Sequence, residues 1–249
     1  MLGEQSVSAS CFAENLGHLI ELTGAESAAL EKLEGRQRQL RRGAILLREK
    51  ERGNELFILR KGMMMSYVIL DDGSRQILRF MFPGDLLGSA LIYRDAPETL
   101  CALSDAVVAP FERNLLVPIF DEHPRLAALL LVYNNIQRVA LTDRLAALGR
   151  TSAKARIAAL LLELRNRLRR ADSSVTNGFA LGLTQEEIGD ATGLTSVHVN
   201  RMLRQLEQEG MIARESGRVT LLDENSLRRE ANYVNRYEGL DLGWLPSPR

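Results

Sequence analysis

The sequence predicts an α+β chain in four parts: an N-terminal double-stranded β-helix, or roll, with a helical lead-in, then a long helix, a winged helix-turn-helix and a short extension. Three observations predict it. Residues 36–120 alternate short apolar runs with glycine corners, the pattern of a small antiparallel roll. Residues 124–148 carry one long apolar stripe at helical spacing. Residues 184–212 hold two short helical patterns broken at Gly193. The boundaries expected are 1–122, 123–149, 150–231 and 232–249.

The lead-in, residues 1–35, reads as helical: Leu16, Leu19, Ile20 and Leu22 precede the alanine-rich SAALEKLEG, and Gly35 closes it. Strand-like runs AILLRE, ELFILRKG, MMMSYVIL and RQILRFMFPGD follow, with Asp72-Gly73 between the third and fourth as a strong hairpin signal. Met63, Met64 and Met65 are read as adaptable packing in a strand, not as a metal site. In the long helix, Leu126, Leu129, Leu130, Tyr133, Ile136 and Ala140 make the stripe. A helix of roughly 25 residues is about 37 Å long, more than a small domain needs. The expectation is that the stripe meets a second copy, as in a coiled-coil dimer; packing on its own roll is the alternative. Gly149, Arg150, Thr151 and Ser152 read as a hinge, with Thr151 or Ser152 capping a further helix over 153–170. The arginines ending that helix suit its C-terminus without reference to a ligand. Residues 171–180 read as a polar loop.

In the segment 184–212, Thr184 caps a helix and Glu187 stands at the capping-box spacing. Ile188 and Ala191 face inward, and Gly193 turns the corner in the left-handed conformation. Thr195 or Ser196 caps the next helix, whose Val199, Met202, Leu203 and Leu206 pack inward. A glycine-containing turn of this length is the helix-turn-helix signature. Early residues of the second helix then reach base edges in the major groove. The DNA-contacting set expected is Thr184, Gln185, Thr195, Ser196, Val197, His198, Asn200, Arg201, Arg204 and Arg218. Arg201 suits a guanine edge and Asn200 an adenine edge; helix N-termini offer N–H groups to phosphate. Residues 211–214 and 219–222 read as two strands around a turn at 215–218, a wing whose Arg214 and Arg218 can touch phosphate.

Composition bounds the alternatives. The chain has 249 residues, 45% hydrophobic and 26% charged, which suits a globular protein with real cores. Basic and acidic residues balance at 32 each, which argues against nucleic-acid binding by bulk charge but leaves a local basic face open. No apolar run reaches the length of a membrane span, so no membrane partner is expected. The start MLGEQSVSAS has no basic-then-apolar signal pattern, and two distant cysteines, Cys11 and Cys101, suggest no disulfide framework. A reducing cytoplasm fits. No nucleophile–base pair, metal set or phosphate loop stands out, so no enzymatic activity is expected.

Roll, long helix, hinge and winged helix together resemble the Crp/Fnr family of bacterial transcription regulators over roughly residues 15–230. In the first half the resemblance rests on Gly43, Gly62, Gly73, Pro83-Gly84-Asp85 and Gly88, which match the corners of the cyclic-nucleotide-binding roll. In the second it rests on LTQEEIGDATGLT and VNRMLRQLEQEGMI. The resemblance implies a homodimer on a near-palindromic double-stranded operator, with RNA polymerase as partner of an activator. Two departures narrow it. Cyclic-AMP-binding members follow the roll glycine with Glu and place an Arg before a hydroxyl residue. Here the matching effector-pocket positions are Gly88, Ser89, Glu98 and Thr99, within Gly88-Ser89-Ala90-Leu91-Ile92 and Glu98-Thr99. An acid where the phosphate-binding Arg belongs repels a cyclic phosphate, with Arg94 as the nearby cation. Many relatives also read their half-site with a Glu four positions before the Arg. Here Arg201 is kept and the Glu position is Val197, beside His198, so thymine methyl contact replaces cytosine readout.

No cofactor is expected, and the effector is open. Iron–sulfur members use four cysteines, and this chain has two. Cys101 reads as a roll-core residue, Cys11 as part of a polar mobile segment, and His18 and His123 as surface residues. Tyr233, Tyr237 and Trp244, in the tail from 232 to 249, suggest docking onto the body or a partner subunit. The competing function class is a small-molecule sensor whose DNA-binding half is vestigial.

Overall fold

The structure is a computed structural model that describes residues 10–89 and 92–248. Residues 1–9, with most of the MLGEQSVSAS start, and Ala90 and Leu91 of the effector-pocket stretch lie outside the described residues. The chain divides into two compact units, one of residues 1–64, 81–134 and 241–249, the other of 65–80 and 135–240. The division falls inside the long helix.

In the first unit the lead-in is two helices, α1 (Cys11–Gly17) and α2 (Gly24–Glu31), followed by a 3-10 turn at Lys32–Glu34. Thr23 caps α2 in a full capping box with Glu26, which accounts for the break between the two. Strands β1 (Arg38–Leu40), β2 (Ile45–Leu47), β3 (Glu55–Lys61), β6 (Leu86–Leu87), β7 (Thr99–Ala102) and β8 (Ala106–Glu112) belong to an antiparallel β-roll. One sheet runs β1-β8-β3-β6, and β2 pairs with β7. Helix α3 (Leu116–Glu122) leads into the long helix α4 (Pro124–Arg150).

The apolar run of β3 is continuous because both faces of the strand are covered. Leu56 and Ile58 pack with Phe12, Leu16, Leu30, Phe111 and Leu126. Phe57 and Leu59 point the other way, among Met64, Leu87, Leu100 and Val108. A period of two on a strand buried on both faces leaves no polar alternation to read. Met64 and Met65 are buried packing residues, as their strand position implied.

The stripe on α4 has an occupant within its own chain. Leu126, Leu129, Leu130 and Tyr133 belong to the cluster with Phe12 and Leu30, Ile136 is also buried, and Ala140 is half-buried. Apart from Ala140, those side chains therefore have no open surface for a second copy. The large apolar residues α4 leaves exposed are Leu131, Leu141 and Leu145, at 59%, 41% and 71%.

Buried polar groups tie the helices to the roll. Tyr133 donates its hydroxyl to Asp85 at 2.8 Å, and Asp85 also accepts from the Phe82 N–H. Glu34 accepts from Ser10 Oγ and the Phe12 N–H at the start of α1. Cys11 therefore opens an ordered helix, contrary to the mobile segment expected, because Ser10 and Glu34 cap it. Burial, then Glu34, pushes the Cys11 thiol above its usual pKa, which disfavours a reactive thiolate. Cys101 is buried, as expected. Gly84 has a positive φ of 85°, and a Cβ there would meet Asn15 Cβ at 2.5 Å and the Cys11 carbonyl oxygen at 2.6 Å.

The second unit contains β5 (Arg75–Met81) and most of β4 (Met64–Ile69), joined at the predicted Asp72-Gly73 turn. Asp72 accepts from the Ser74 N–H and hydroxyl, and Gly73 has φ 82°. After α4 ends, Ser152 caps α5 (Ala153–Ala171) through the Ala155 N–H. The stretch read as a polar loop contains a strand, β9 (Gly178–Ala180), whose Phe179 is buried. Helices α6 (Gln185–Thr192) and α7 (Ser196–Gln208) follow, then β10 (Ile212–Glu215), β11 (Arg218–Leu221) and α8 (Glu224–Ala231). The wing sheet has the order β10-β11-β9. Its turn is tighter than expected: only Ser216 and Gly217 lie outside the ladder, both with positive φ, the two-residue hairpin geometry. Among the described residues no helix is long and apolar enough to cross a membrane.

The tail enters each unit separately. In the second, the Tyr237 hydroxyl accepts from Gln137 and Arg167, and its ring lies 4.1 Å under the Arg170 guanidinium. Arg236 grips Asp143 with two hydrogen bonds of 2.6 and 2.9 Å. Tyr233 accepts from Asn166, and burial pushes its pKa up to about 12. In the first unit Leu245 packs on the main core while Trp244 stays 59% exposed. The tyrosines thus account for docking, and the tryptophan does not.

Arg125 and Glu26 form a buried pair, Nε to Oε1 at 2.8 Å and Nη2 to Oε2 at 2.5 Å. The hydrogen bond from Arg125 holds the Glu26 carboxyl below its ordinary pKa. A depressed folded-state pKa gives stability that is present above the unfolded-state value and lost as pH falls through the folded one. Glu26→Gln should cost about 3 kcal/mol at pH 7, because it strands the Arg125 charge. Urea unfolding should show the gap between wild type and variant closing once the pH drops below the usual carboxylate range.

Candidate nucleic-acid interface

Helix α6 begins at a full capping box. The Glu187 N–H donates to Thr184 Oγ1 at 3.1 Å and the Thr184 N–H donates to Glu187 Oε2 at 2.7 Å. It ends at Gly193, whose φ of 65° is left-handed, a conformation cheap only for glycine. The chain then doubles back over α6: the Leu194 N–H donates to the Gly189 carbonyl at 3.1 Å. A Cβ on Gly189 would collide with the Leu194 carbonyl oxygen. Gly189 is therefore a second glycine on which the corner depends. The spacing of a helix interior hides that role, since a mid-helix glycine is otherwise merely a weak helix former.

Thr195 caps α7 by accepting from the His198 N–H. Val199, Met202, Leu203 and Leu206 are buried, against α5 and α6. The opposite face is open. Val197, Asn200, Arg201, Arg204, Gln205 and Gln208 line one shallow concavity along the helix, and Val197 is 77% exposed. Ser196 and His198 are exposed beside it, as are Thr184 and Gln185 at the start of α6.

Electrostatics separates the arginines of this region into engaged and open ones. Arg214 donates to Glu207 at 2.6 Å and holds its carboxyl below the ordinary range. Arg214, which the wing reading offered to phosphate, is thus committed to α7. Lys154 is pinned between Glu209 and Glu230, each at 2.9 Å. Arg165 is fully buried against Glu224 at 2.5 Å, a structural role that its place near a helix C-terminus did not reveal. Arg201 has no ion pair among the described residues and is exposed, as is Arg204. Arg218 is exposed on the wing and donates to the Gly178 carbonyl at 3.2 Å.

The effector-pocket positions belong to the first unit. Gly88 takes φ 94°. Thr99 is buried and its Oγ1 accepts from the Glu49 N–H at 3.0 Å. Glu98 is half-buried and Arg94 exposed. Ser89 accepts through its carbonyl from the Ile92 and Tyr93 N–H groups.

Known proteins share this organisation. Residues 37–123 match the cyclic nucleotide-binding domain, and residues 155–230 match the Crp-like helix-turn-helix domain. The nitrogen fixation regulation protein FixK of Bradyrhizobium diazoefficiens is 31% identical over 204 residues, covering 81% of this chain and 84% of that protein. The transcriptional activator protein Anr of Pseudomonas aeruginosa is 29% identical over 207 residues, covering 82% and 84%. Among solved structures, that of FixK2 from Bradyrhizobium japonicum superposes with a TM-score of 0.71 at 26% identity, covering 80% of this chain and 98% of that one.

The corner around Gly189 is directly testable. Gly189→Ala forces the Leu194 carbonyl aside and should cost about 1–3 kcal/mol, as overpacking does. Equilibrium urea unfolding measures this, and an unchanged midpoint would contradict the close approach.

Proposed function

The chain belongs to the Crp/Fnr family of DNA-binding transcription regulators, and from that premise we propose that it acts as a homodimer on a near-palindromic operator in the cytoplasm, without cyclic AMP. The observation that carries the DNA reading is the open face of α7, with Val197, Asn200, Arg201 and Arg204 on one side of a helix whose other side is buried. Arg201 donates to a guanine edge, Asn200 pairs with adenine, and Val197 and His198 read the outer positions. Thr184, Gln185, Thr195 and Ser196 offer helix N-termini, and Arg218 a side chain, to phosphates. A vestigial DNA-binding half would have no reason to keep an exposed valine and an unpaired arginine on that face.

The dimer reading rests on the face of α4 that its own core leaves open. Leu131, Arg138 and Leu145 recur every seven residues, with Leu141 on the same side. Heptad spacing of this kind suits a parallel helix pair. The stripe of Leu126, Leu129, Leu130, Tyr133 and Ile136 instead holds the helix to its own chain. Ala140 lies on that same stripe and is half-buried.

Cyclic AMP is disfavoured by the roll's side chains. Glu98 stands where a phosphate-binding cation is wanted, Ser89 offers no carboxylate to a ribose, and the Thr99 hydroxyl is held by the Glu49 N–H.

Two measurements check these readings. The protein should select from random DNA a site with half-sites about one helical turn apart. Arg201→Ala should weaken binding to that site by roughly tenfold or more, from the ~1–3 kcal/mol of a bidentate base contact. Cyclic AMP should leave the wild-type affinity unchanged, and an Arg201→Ala protein that binds as wild type would remove the major-groove reading. Separately, Leu145→Arg should shift the protein from dimer to monomer in sedimentation equilibrium; a variant that stays dimeric would put the interface elsewhere.

A further inference from the structure

A cavity of about 400 Å³ lies within the second unit, between α4, α5, β5 and the tail. That is the size range of small-molecule sites. Its apolar wall is made by Phe80, Ala140, Ala147, Leu148 and Leu160. Its polar wall is strongly unbalanced: among the described residues lining it, arginines outnumber carboxylates six to two, the acids being Asp143 and Glu163. Asp143 is already taken by Arg236.

Two of the lining arginines also carry donors without a partner. Nη1 of Arg144 and Nε of Arg156 are shielded from solvent with no hydrogen-bond partner. Burial pulls the Arg144 guanidinium below its usual pKa, with Glu163 the charge opposing that shift. A buried guanidinium with a spare N–H is costly until an acceptor reaches it. Both residues also hold the helix-turn-helix. Arg144 Nη2 donates to the Ala191 carbonyl at 3.1 Å, and Arg156 Nη1 donates to the Thr192 carbonyl at 2.9 Å. Gln76 takes the third carbonyl of that last turn, Asp190, at 2.7 Å.

We infer that this cavity is a binding site for a small organic anion with an apolar body, of the aromatic carboxylate class, whose carboxylate accepts from Arg144 and Arg156. The carboxylate is held by the two guanidiniums, and the ring lies on the Phe80 and Leu160 wall. Because the same two guanidiniums end on α6, an occupant bears on the DNA-binding unit through one side chain on each path. A ligand shifts that unit only by binding one of its arrangements better than another. This coupling rests on the DNA-binding reading; the binding itself does not.

Calorimetry on the full chain with 2-naphthoate, 2-naphthamide and inorganic phosphate tests the site. Naphthoate should bind about tenfold or more tightly than the isosteric amide, as charge-assisted hydrogen bonds to buried guanidinium imply, and phosphate should not bind. Ala147→Leu, which fills the apolar wall, and Arg156→Gln should each weaken naphthoate by a similar factor. Equal binding of acid and amide, no binding of naphthoate at millimolar concentration, or tight naphthoate binding by Ala147→Leu overturns the site. The acid–amide comparison uses wild-type protein and stands whether or not the variants fold. Saturating naphthoate should also change affinity for the selected DNA; an unchanged affinity overturns the coupling alone.

Discussion

The position of the recognition face depends on where α6 ends. Its last turn leaves four carbonyls without an intrahelical partner, as every helix end does; the Leu194 N–H takes that of Gly189, and side chains take the other three. Gln76, Arg144 and Arg156 take the Asp190, Ala191 and Thr192 carbonyls from three different elements. Arg75 adds an ion pair to the Asp190 side chain at 2.7 Å. Cationic donors at a helix C-terminus are favoured by the helix dipole as well as by the hydrogen bonds. Beyond that turn the chain has little freedom: Gly193 is left-handed and the Leu194 backbone passes over Gly189. The angle between α6 and α7, and hence the orientation of Val197, Arg201 and Arg204, follows from these contacts.

Charge in the second unit is arranged by the same logic. A chain with equal numbers of acids and bases can still present a basic face if its carboxylates are spent elsewhere. Glu207 is spent on Arg214, Glu209 and Glu230 on Lys154, Glu224 on Arg165 and Asp143 on Arg236. Several of these pairs lie near the roots of α7 and α8. What stays unneutralised is the outer face of α7. Local pairing, rather than net charge, sets the field a polyanion meets.

The parts legible in the sequence were those fixed by local chemistry. Thr184, Glu187, Gly193 and Thr195 mark helix ends through interactions spanning three or four residues, and Asp72-Gly73 marks a turn through two. The less legible parts depend on distant partners. Phe179 lies in a polar, glycine-flanked stretch, and only β11 beside it makes it a strand. The stripe on α4 was visible, but periodicity cannot say whether a chain's own roll or a second copy covers it; Phe12, Leu30 and Phe111, far away in sequence, decide that. Arg165 and Arg167 read only as cations suited to a helix C-terminus, and their partners Glu224 and Tyr237 lie far along the chain.

The tail shows how such distant partners change what a residue is for. Residues 232–240 bring Tyr233, Arg236 and Tyr237 onto α4 and α5, where they occupy Asn166, Asp143, Gln137 and Arg167. Of these contacts, that of Arg236 with Asp143 removes an acceptor that would otherwise be open to the donors of Arg144 and Arg156, and Tyr233 and Tyr237 add aromatic wall to the same cavity. Asp143 is the clearest case. Free, it would be a counter-charge lining the space beside Arg144; gripped by Arg236 through two hydrogen bonds, it is neutralised in place. The segment beyond α8 thereby keeps the cavity cationic, and the cationic cavity is what holds the end of α6.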